Sequence, residues 1–187
     1  DPAYRRRGLG KALKLHQRDR LLELGIERML WTFDPLVARN AYLNLSRLGA
    51  TTRVYKRNAY GESDSPLHAG IGTDRLLADW ALRSERVERR LAGAVEPAPA
   101  EGEWVLPADA AGPWPRPGPF RPSPGAARVR VAVPADIDAL KAADPALARA
   151  WRAGTREALE WAFAEGYVAT DLIRGDGVAA YSLAPGF

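Results

Sequence analysis

The residues best suited to chemistry form one short run at the start of a predicted helix. They are Arg5, Arg6, Arg7, Gly8, Leu9, Gly10 and Lys11. A helix N-terminus exposes unpaired N–H groups and carries about half a positive charge, so it holds phosphate well. The two glycines let the backbone approach an anion without a Cβ in the way, and the cations add positive charge. The run therefore predicts a pyrophosphate-binding loop, with an ordinary exposed loop as the alternative.

Other candidates for acid–base chemistry are few. Asp34 follows a predicted buried strand, where functional residues often collect, although Asp-Pro is also a common turn sequence. Histidine titrates near neutral pH, so His68 in a predicted loop is either a useful base or a solvated loop residue. Asp74, directly after Thr73, either hydrogen-bonds a substrate or caps a local turn.

Composition excludes several kinds of site. The chain of 187 residues has no cysteine and two histidines, His16 and His68. Disulfides, cysteine nucleophiles, thiolate zinc sites and multi-histidine metal sites are therefore excluded, and we expect no metal. The sequence contains no apolar run of about 18 residues and no leader pattern. We accordingly expect no membrane span and a cytoplasmic location.

Positive charge is concentrated in the first half of the chain. The net charge is +4, and seven of the 27 lysines and arginines fall within the first 20 residues. Such a patch attracts an anionic ligand or a nucleic acid. Because aromatic residues are not interleaved with these cations, nucleic-acid binding is the weakest of the function hypotheses.

Two helix–strand patterns and a proline-rich segment must position these residues. The first pattern predicts helices at 8–24, 37–48 and 84–91 and strands at 27–33, 51–60 and 75–82, with Leu9, Leu13, Leu21 and Leu24 near one helix face. The second predicts a strand at 128–133, a helical turn from residue 135, a helix at 145–165, and a hairpin of 167–173 and 178–183. The sequence therefore predicts an α/β (α+β) fold with mixed strand directions.

The segment between the two patterns, residues 94–125, contains nine of the 15 prolines. Alternating prolines exclude a regular helix or a central strand there. Disordered linkers are poor in aromatic residues, so Trp104, Trp114 and Phe120 favour a strap that packs on a folded surface over a free linker. We therefore expect three regions, 1–93, 94–125 and 126–187.

The first region resembles the GNAT superfamily of N-acetyltransferases. Arg5-x-x-Gly8-x-Gly10 matches the R/Q-x-x-G-x-G/A motif of the loop that binds the pyrophosphate of acetyl-CoA in that family. Five further segments resemble a bacterial subgroup of it. They are WTFDPL at 31–36, NAYLNL at 40–45, LGA at 48–50, YGE at 60–62 and GTDRL at 72–76. The resemblance covers residues 1–91 and implies a GNAT-type mixed sheet with helices on both faces, followed by a C-terminal β-α-β-β extension.

The resemblance implies a function as well as a fold. An acetyl group would pass from acetyl-CoA to a small-molecule amine by direct attack in a ternary complex. Asn40 and Asn44 lie one predicted helical turn apart and would contact the pantetheine arm or satisfy loop backbone. Asp34, Tyr42 and Asp74 are the weak catalytic candidates.

Two departures from the family pattern qualify this picture. The family fold has about four strands and two helices before the phosphate loop, so the sheet needs a second copy of the chain or a preceding segment at its open edge. Counting back from Gly49 also places Leu45 where the family has a tyrosine acid, and Tyr42 lies three positions earlier. A non-catalytic acyl-CoA-binding or regulatory domain is therefore the alternative hypothesis.

Overall fold

A computed structural model describes residues 8–61, 71–93, 99 and 101–186. The helices are α1 (Leu9–Glu23), α2 (Ala38–Ala41) with a π-helix (Tyr42–Arg47) directly after it, α3 (Glu85–Leu91), α4 (Ile137–Ala143) and α5 (Pro145–Ala164). The strands are β1 (Arg28–Phe33), β2 (Tyr55–Lys56), β3 (Arg75–Ala81), β4 (Glu103–Leu106), β5 (Ala108–Asp109), β6 (Arg116–Pro117), β7 (Val129–Pro134), β8 (Tyr167–Arg174) and β9 (Val178–Pro185). The predicted α+β class is confirmed.

The strands form a three-stranded sheet, a four-stranded sheet and a short two-stranded ribbon. The first has the order β1-β3-β2 with both pairs antiparallel. The second has the order β4-β7-β9-β8, with β4 parallel to β7 and the other pairs antiparallel. β5 and β6 make the ribbon. The mixed strand directions expected from the sequence are therefore present.

Local sequence signals set the ends of several elements. The Asp144 side chain accepts a hydrogen bond from Leu147 N–H and caps α5, whose first residue is Pro145. Gly166, with φ of 84°, follows the end of the same helix. The Ser84 side chain caps α3 in the same way, accepting from Val87 N–H. These helices, like the β8–β9 hairpin, confirm the predictions.

The predicted strand over 51–60 is only partly correct. Regular pairing is limited to β2, while Thr51 and Thr52 make single bridges. Thr51 pairs with Asp79 of β3 and Thr52 with Ala169 of β8, so this short segment joins the two larger sheets. The chain then turns at Asn58, whose φ of 42° is in the left-handed region and ends the extended backbone.

The predicted apolar face of the first helix is not a buried face in the described part of the chain. α1 has no buried residue, and Leu9, Leu13 and Leu24 are 47%, 66% and 70% exposed. Only Leu21 and Leu22 of the helix pack partly against the core. Among the described residues, α1 therefore lies at the margin of the core.

The aromatic residues of the proline-rich segment pack against the core. Trp104, Trp114 and Phe120 are partly buried against the core. The Trp151 indole of α5 donates a 2.9 Å hydrogen bond to the Pro115 carbonyl, and the rings of Phe120 and Trp161 meet edge to face at 6.0 Å. β4 is an edge strand of its sheet, and no central strand forms among the described residues of this segment.

The first and last regions share one hydrophobic core and several long-range polar contacts. Arg90 of α3 makes a buried ion pair of 2.9 Å with Asp171 of β8. The Ser46 hydroxyl accepts a 3.0 Å hydrogen bond from Leu172 N–H. Among the described residues, no helix is both long and apolar enough to cross a membrane.

Candidate functional site

The predicted phosphate loop is described from Gly8 onward, and Arg5, Arg6 and Arg7 lie outside the described residues. Gly8 precedes α1 with φ of 74°, a conformation that glycine adopts without strain. No side chain in the described part of the chain caps this helix start, and its first turn has no acidic residue. The N–H groups of the first turn therefore keep the charge and geometry that suit an anion.

Gly10 has a packing role that the sequence did not indicate. A Cβ at this position would lie 3.3 Å from Leu43 Cδ2 in the π-helix, closer than ordinary van der Waals contact. Its missing side chain thus admits the neighbouring helix, whereas the sequence interpretation assigned it to anion access. Further along α1, Lys14 Nζ lies 3.8 Å from the centre of the Trp31 ring. The start of α1 is therefore held against the π-helix and β1.

The two candidate amides have different environments. Asn40 is exposed, whereas Asn44 is 4% exposed. The four-residue spacing predicts one shared helix face, but the backbone after Ala41 is a π-helix, in which Leu48 N–H bonds to the Leu43 carbonyl five residues back. The wider turn rotates Asn44 away from the direction that an α-helix would give. Asn40 is thus the amide open to a ligand.

Tyr42, a weak catalytic candidate, packs against a cation. The Arg174 guanidinium carbon lies 4.1 Å from the centre of the Tyr42 ring. Leu45, which occupies the family's tyrosine position, is completely buried. The π-helix therefore has an apolar side chain at the family's acid position and a tyrosine ring that packs against a cation.

Asp34 lies between β1 and α2 and is held on both oxygens. Oδ1 accepts from Leu36 N–H at 2.8 Å, which is the local turn expected of Asp-Pro. Oδ2 accepts from Arg152 Nη2 at 2.7 Å, and Arg75 Nη1 lies 3.5 Å away. The carboxylate is 21% exposed. Asp34 is therefore an ion-paired carboxylate at the junction between the first region and α5.

Asp74 is fully buried and more completely bonded than Asp34. Oδ2 accepts from the Tyr55 hydroxyl at 2.7 Å and from Arg156 Nε at 2.8 Å. Oδ1 accepts from Asn58 N–H at 2.9 Å and from Arg156 Nη2 at 3.0 Å. Burial alone would raise the pKa of Asp74, but the hydrogen bonds from Arg156, Tyr55 and Asn58 outweigh it and hold this pKa below its usual value.

A carboxylate with this environment is a poor general base. Its lone pairs are occupied and its proton affinity is lowered, whereas a base works best with a pKa near the operating pH. Burial and the Asp74 carboxylate also raise the pKa of Tyr55 well above its usual value, so that hydroxyl stays a donor. The geometry favours a structural role for Asp74.

Sequence reasoning missed the arginine pair, Arg152 and Arg156, which holds both aspartates. The two residues are four apart on α5 and so lie on one face. Arg152 is 3% exposed, which is rare for arginine unless it is paired. The available signal was a row of arginines at 149, 152 and 156, spaced by three and four residues along an alanine-rich helix. The partners of Arg152 and Arg156 lie more than 80 residues away and had no local signature.

The remaining predictions for the site can be stated briefly. His68 lies outside the described residues. Within the ranges that the structure describes, no three histidine, aspartate or glutamate side chains are grouped so that they could hold a metal ion. No family model, curated protein or solved structure matches this chain. Its function therefore has to be inferred from the residues and contacts above.

Proposed function

We propose that this chain is a GNAT-type acetyl-CoA-dependent N-acyltransferase that acts on a small-molecule amine in the cytoplasm. The observation that carries the proposal is the start of α1. Gly8 has a left-handed backbone conformation, and no described side chain caps the first turn of α1. Gly10 allows α1 to pack closely against Leu43. Backbone N–H groups from Leu9 to Lys11 would receive the pyrophosphate, and the lysine would add charge.

The neighbouring elements support the same proposal. The order α1, β1, α2 with its π-helix, β2 and β3 follows the helix–strand–helix–strand order of the resemblance. β1 is at the edge of its sheet in the described part of the chain, where the family's fourth strand would lie. Asn40 is exposed on α2, which continues directly into the π-helix that contacts α1, so its amide is open to a pantetheine arm.

Acceleration would then come chiefly from positioning. Holding the amine and the thioester in one cleft removes much of the entropic barrier, and donors aimed at the developing oxyanion stabilise it. When bound, acetyl-CoA supplies the activated acyl group. The described residues supply the anion-binding helix start and the amide of Asn40.

A second candidate function is acyl-CoA binding without catalysis. Both Asp34 and Asp74 are held in ion pairs, and the Tyr42 ring lies against Arg174. Leu45 is apolar where the family has its acid. These observations favour a binding or regulatory domain over an enzyme with a conventional acid and base.

Calorimetric titration of the full chain with acetyl-CoA, dephospho-CoA and adenosine diphosphate tests the shared part of both candidates. Micromolar binding of all three would mean that the pyrophosphate is the recognised group. Absence of binding would contradict both candidates for this chain. A thiol-release assay with a panel of amines then separates them, since only the acyltransferase releases CoA in an amine-dependent way.

Gly8→Glu is the sharpest variant for the phosphate loop. We expect it to abolish acetyl-CoA binding, because a carboxylate at the helix start repels the pyrophosphate and its side chain occupies the space through which the anion reaches the backbone N–H groups. Gly25→Glu is the matched control: Gly25 follows the same helix, has φ of 73° against 74°, and likewise has no described atom within 4 Å of an added Cβ. Equal affinities of the two variants, both folded by circular dichroism, would contradict the assignment.

A further inference from the structure

A cavity of about 210 Å³ lies beside α5. The residues that line it are distant in sequence from the proposed phosphate loop. Three arginines of α5 line it together with small or apolar residues. The lining residues are Ile71, Gly72, Arg149, Arg152, Ala153 and Arg156. The α5 members are spaced by three, four and seven residues, so they share one face of the helix. This face presents guanidinium groups to a space that suits a compact ligand.

Charge is not balanced around the cavity. Arg152 and Arg75 share Asp34, and Arg156 pairs with Asp74. Arg149 is exposed and forms no ion pair with any described residue. The three lining arginines, their carboxylate partners Asp34 and Asp74, and Arg75, which shares Asp34, together carry two more positive than negative charges. Such an excess in a concave site attracts an anion.

Arg152 provides a second and independent observation. Its Nε donates to the Ile71 carbonyl at 3.0 Å and its Nη2 donates to Asp34, but its Nη1 is buried with no hydrogen-bond partner in the described structure. Buried charged donors are almost always bonded, because leaving one unsatisfied is costly. The orphaned Nη1 thus lies on a side chain that lines the cavity and lacks one acceptor.

Gly72 also lines the cavity, next to Arg156. Its φ is 74°, and an added Cβ would lie 2.9 Å from Asn58 Oδ1 and 3.7 Å from Arg156 Nη2. A side chain here would clash with Asn58 Oδ1 and would contact the Arg156 guanidinium. At this position the lining is therefore backbone beside the arginines.

We propose that this cavity binds the oxyanion group of a small ligand, a carboxylate or a phosphate, through Arg149, Arg152 and Arg156. Guanidinium groups bind both oxyanions through paired, charge-assisted N–H donors. In this proposal the bound oxyanion supplies the acceptor that Arg152 Nη1 lacks. Arg149 then acts as the cation that no described carboxylate neutralises. The proposal does not depend on acetyl-CoA binding.

Thermal unfolding of the full chain with potassium phosphate or succinate, at ionic strength matched with potassium chloride, tests this site. A ligand that binds the folded state raises the melting temperature as its concentration rises. A rise in melting temperature with phosphate alone identifies a phosphate site, and a rise with succinate alone identifies a carboxylate site. A rise with both identifies a site that accepts either oxyanion. If neither anion exceeds the chloride control, the proposal is wrong.

Three variants locate the response. Arg149→Glu should weaken the apparent affinity at least about tenfold, since it replaces an attracting charge by a repelling one and leaves the aspartate pairs intact. Arg83→Glu makes the same charge change after the C-terminal end of β3, whereas Asp74 and the cavity lie at its N-terminal end. This variant should retain the affinity for the anion. Gly8→Glu should also retain it, because the start of α1 is a separate anion site. Equal losses in Arg149→Glu and Arg83→Glu, or loss only in Gly8→Glu, would overturn the proposal.

Discussion

Asp74 and its partners show how one side chain fixes the local structure at the end of two strands. Tyr55 belongs to β2, Arg156 to α5, and Asp74 precedes β3, so one carboxylate joins three elements. A buried carboxylate is tolerated only when donors replace its water shell, and four donors do so here. The residue is therefore expected to contribute to stability.

Asp74→Asn should destabilise the fold by about 3 kcal/mol at neutral pH, because it leaves Arg156 without its charged partner. The lowered pKa of Asp74 also sets a pH dependence. The ion pair's stabilisation is complete above about pH 4, where the unfolded carboxyl is ionised, and is lost as the pH falls through the lower folded-state pKa. Urea unfolding of both proteins between pH 7 and pH 3 measures this difference.

Asp138→Asn serves as the control for that series. Asp138 pairs with Arg39 at 3.2 Å, but both side chains are more than half exposed. Surface pairs of this kind contribute roughly 0–1 kcal/mol. A wild-type advantage over Asp74→Asn that does not shrink in acid, or a loss no larger than that of Asp138→Asn, would contradict the role given to Asp74.

Helix ends illustrate how elements constrain one another. Gly49 and Gly166 both follow a helix with positive φ, 77° and 84°. Around Gly166 an added Cβ would meet no described atom within 4 Å, whereas at Gly49 it would lie 3.1 Å from Val87 Cα in α3. The two positions therefore share the same backbone requirement and differ in packing.

Gly166→Ala should cost about 1 kcal/mol, the strain of a left-handed alanine. Gly49→Ala should cost at least about 1 kcal/mol more, because the α3 backbone must move to admit the methyl group. Chemical denaturation of the two variants and the wild type gives both values. Equal losses would mean that α3 shifts without cost, contrary to the close packing described here.

Across the whole molecule, the first and last regions depend on one another. Arg90–Asp171, Arg152–Asp34 and Arg156–Asp74 each join residues of the first region to residues of the last. The Tyr181 hydroxyl of β9 also donates to the Pro35 carbonyl at 2.7 Å, and both lie deep in the structure. Removing either region would leave the other with buried charged groups that lack partners.

Residues 1–93 alone should therefore lose the cooperative unfolding transition of the full chain. Deletion of 94–187 exposes core surface and removes Arg152, Arg156 and Asp171, the ion-pair partners of Asp34, Asp74 and Arg90. Scanning calorimetry and near-ultraviolet circular dichroism of the full and shortened chains make the comparison. A shortened chain with an unchanged melting temperature would show that the two regions are independent domains.

The parts of this fold that were predictable from sequence have local causes. Asp144-Pro145 and Gly166 mark the ends of α5, and the period-two pattern marks β7. The arginine pair was not predictable, because Arg152 and Asp34 are 118 residues apart. The same holds for the exposure of α1, which depends on what packs against it. In the candidate site, the helix start at Gly8 had a local signature in the sequence. The ion pairs that hold Asp34 and Asp74 had none, because their arginine partners are distant in sequence.

The π-helix has a consequence for how this sequence tolerates changes in length. The bond from Leu48 N–H to the Leu43 carbonyl encloses one residue more than an α-helical turn does. In an α-helix, inserting or deleting one residue rotates every later side chain by about 100° around the axis. A π-turn absorbs that change locally. Two chains that differ in length by one residue within 42–47 can therefore keep the same helix ends. Their sequences would align only with a gap placed in that segment.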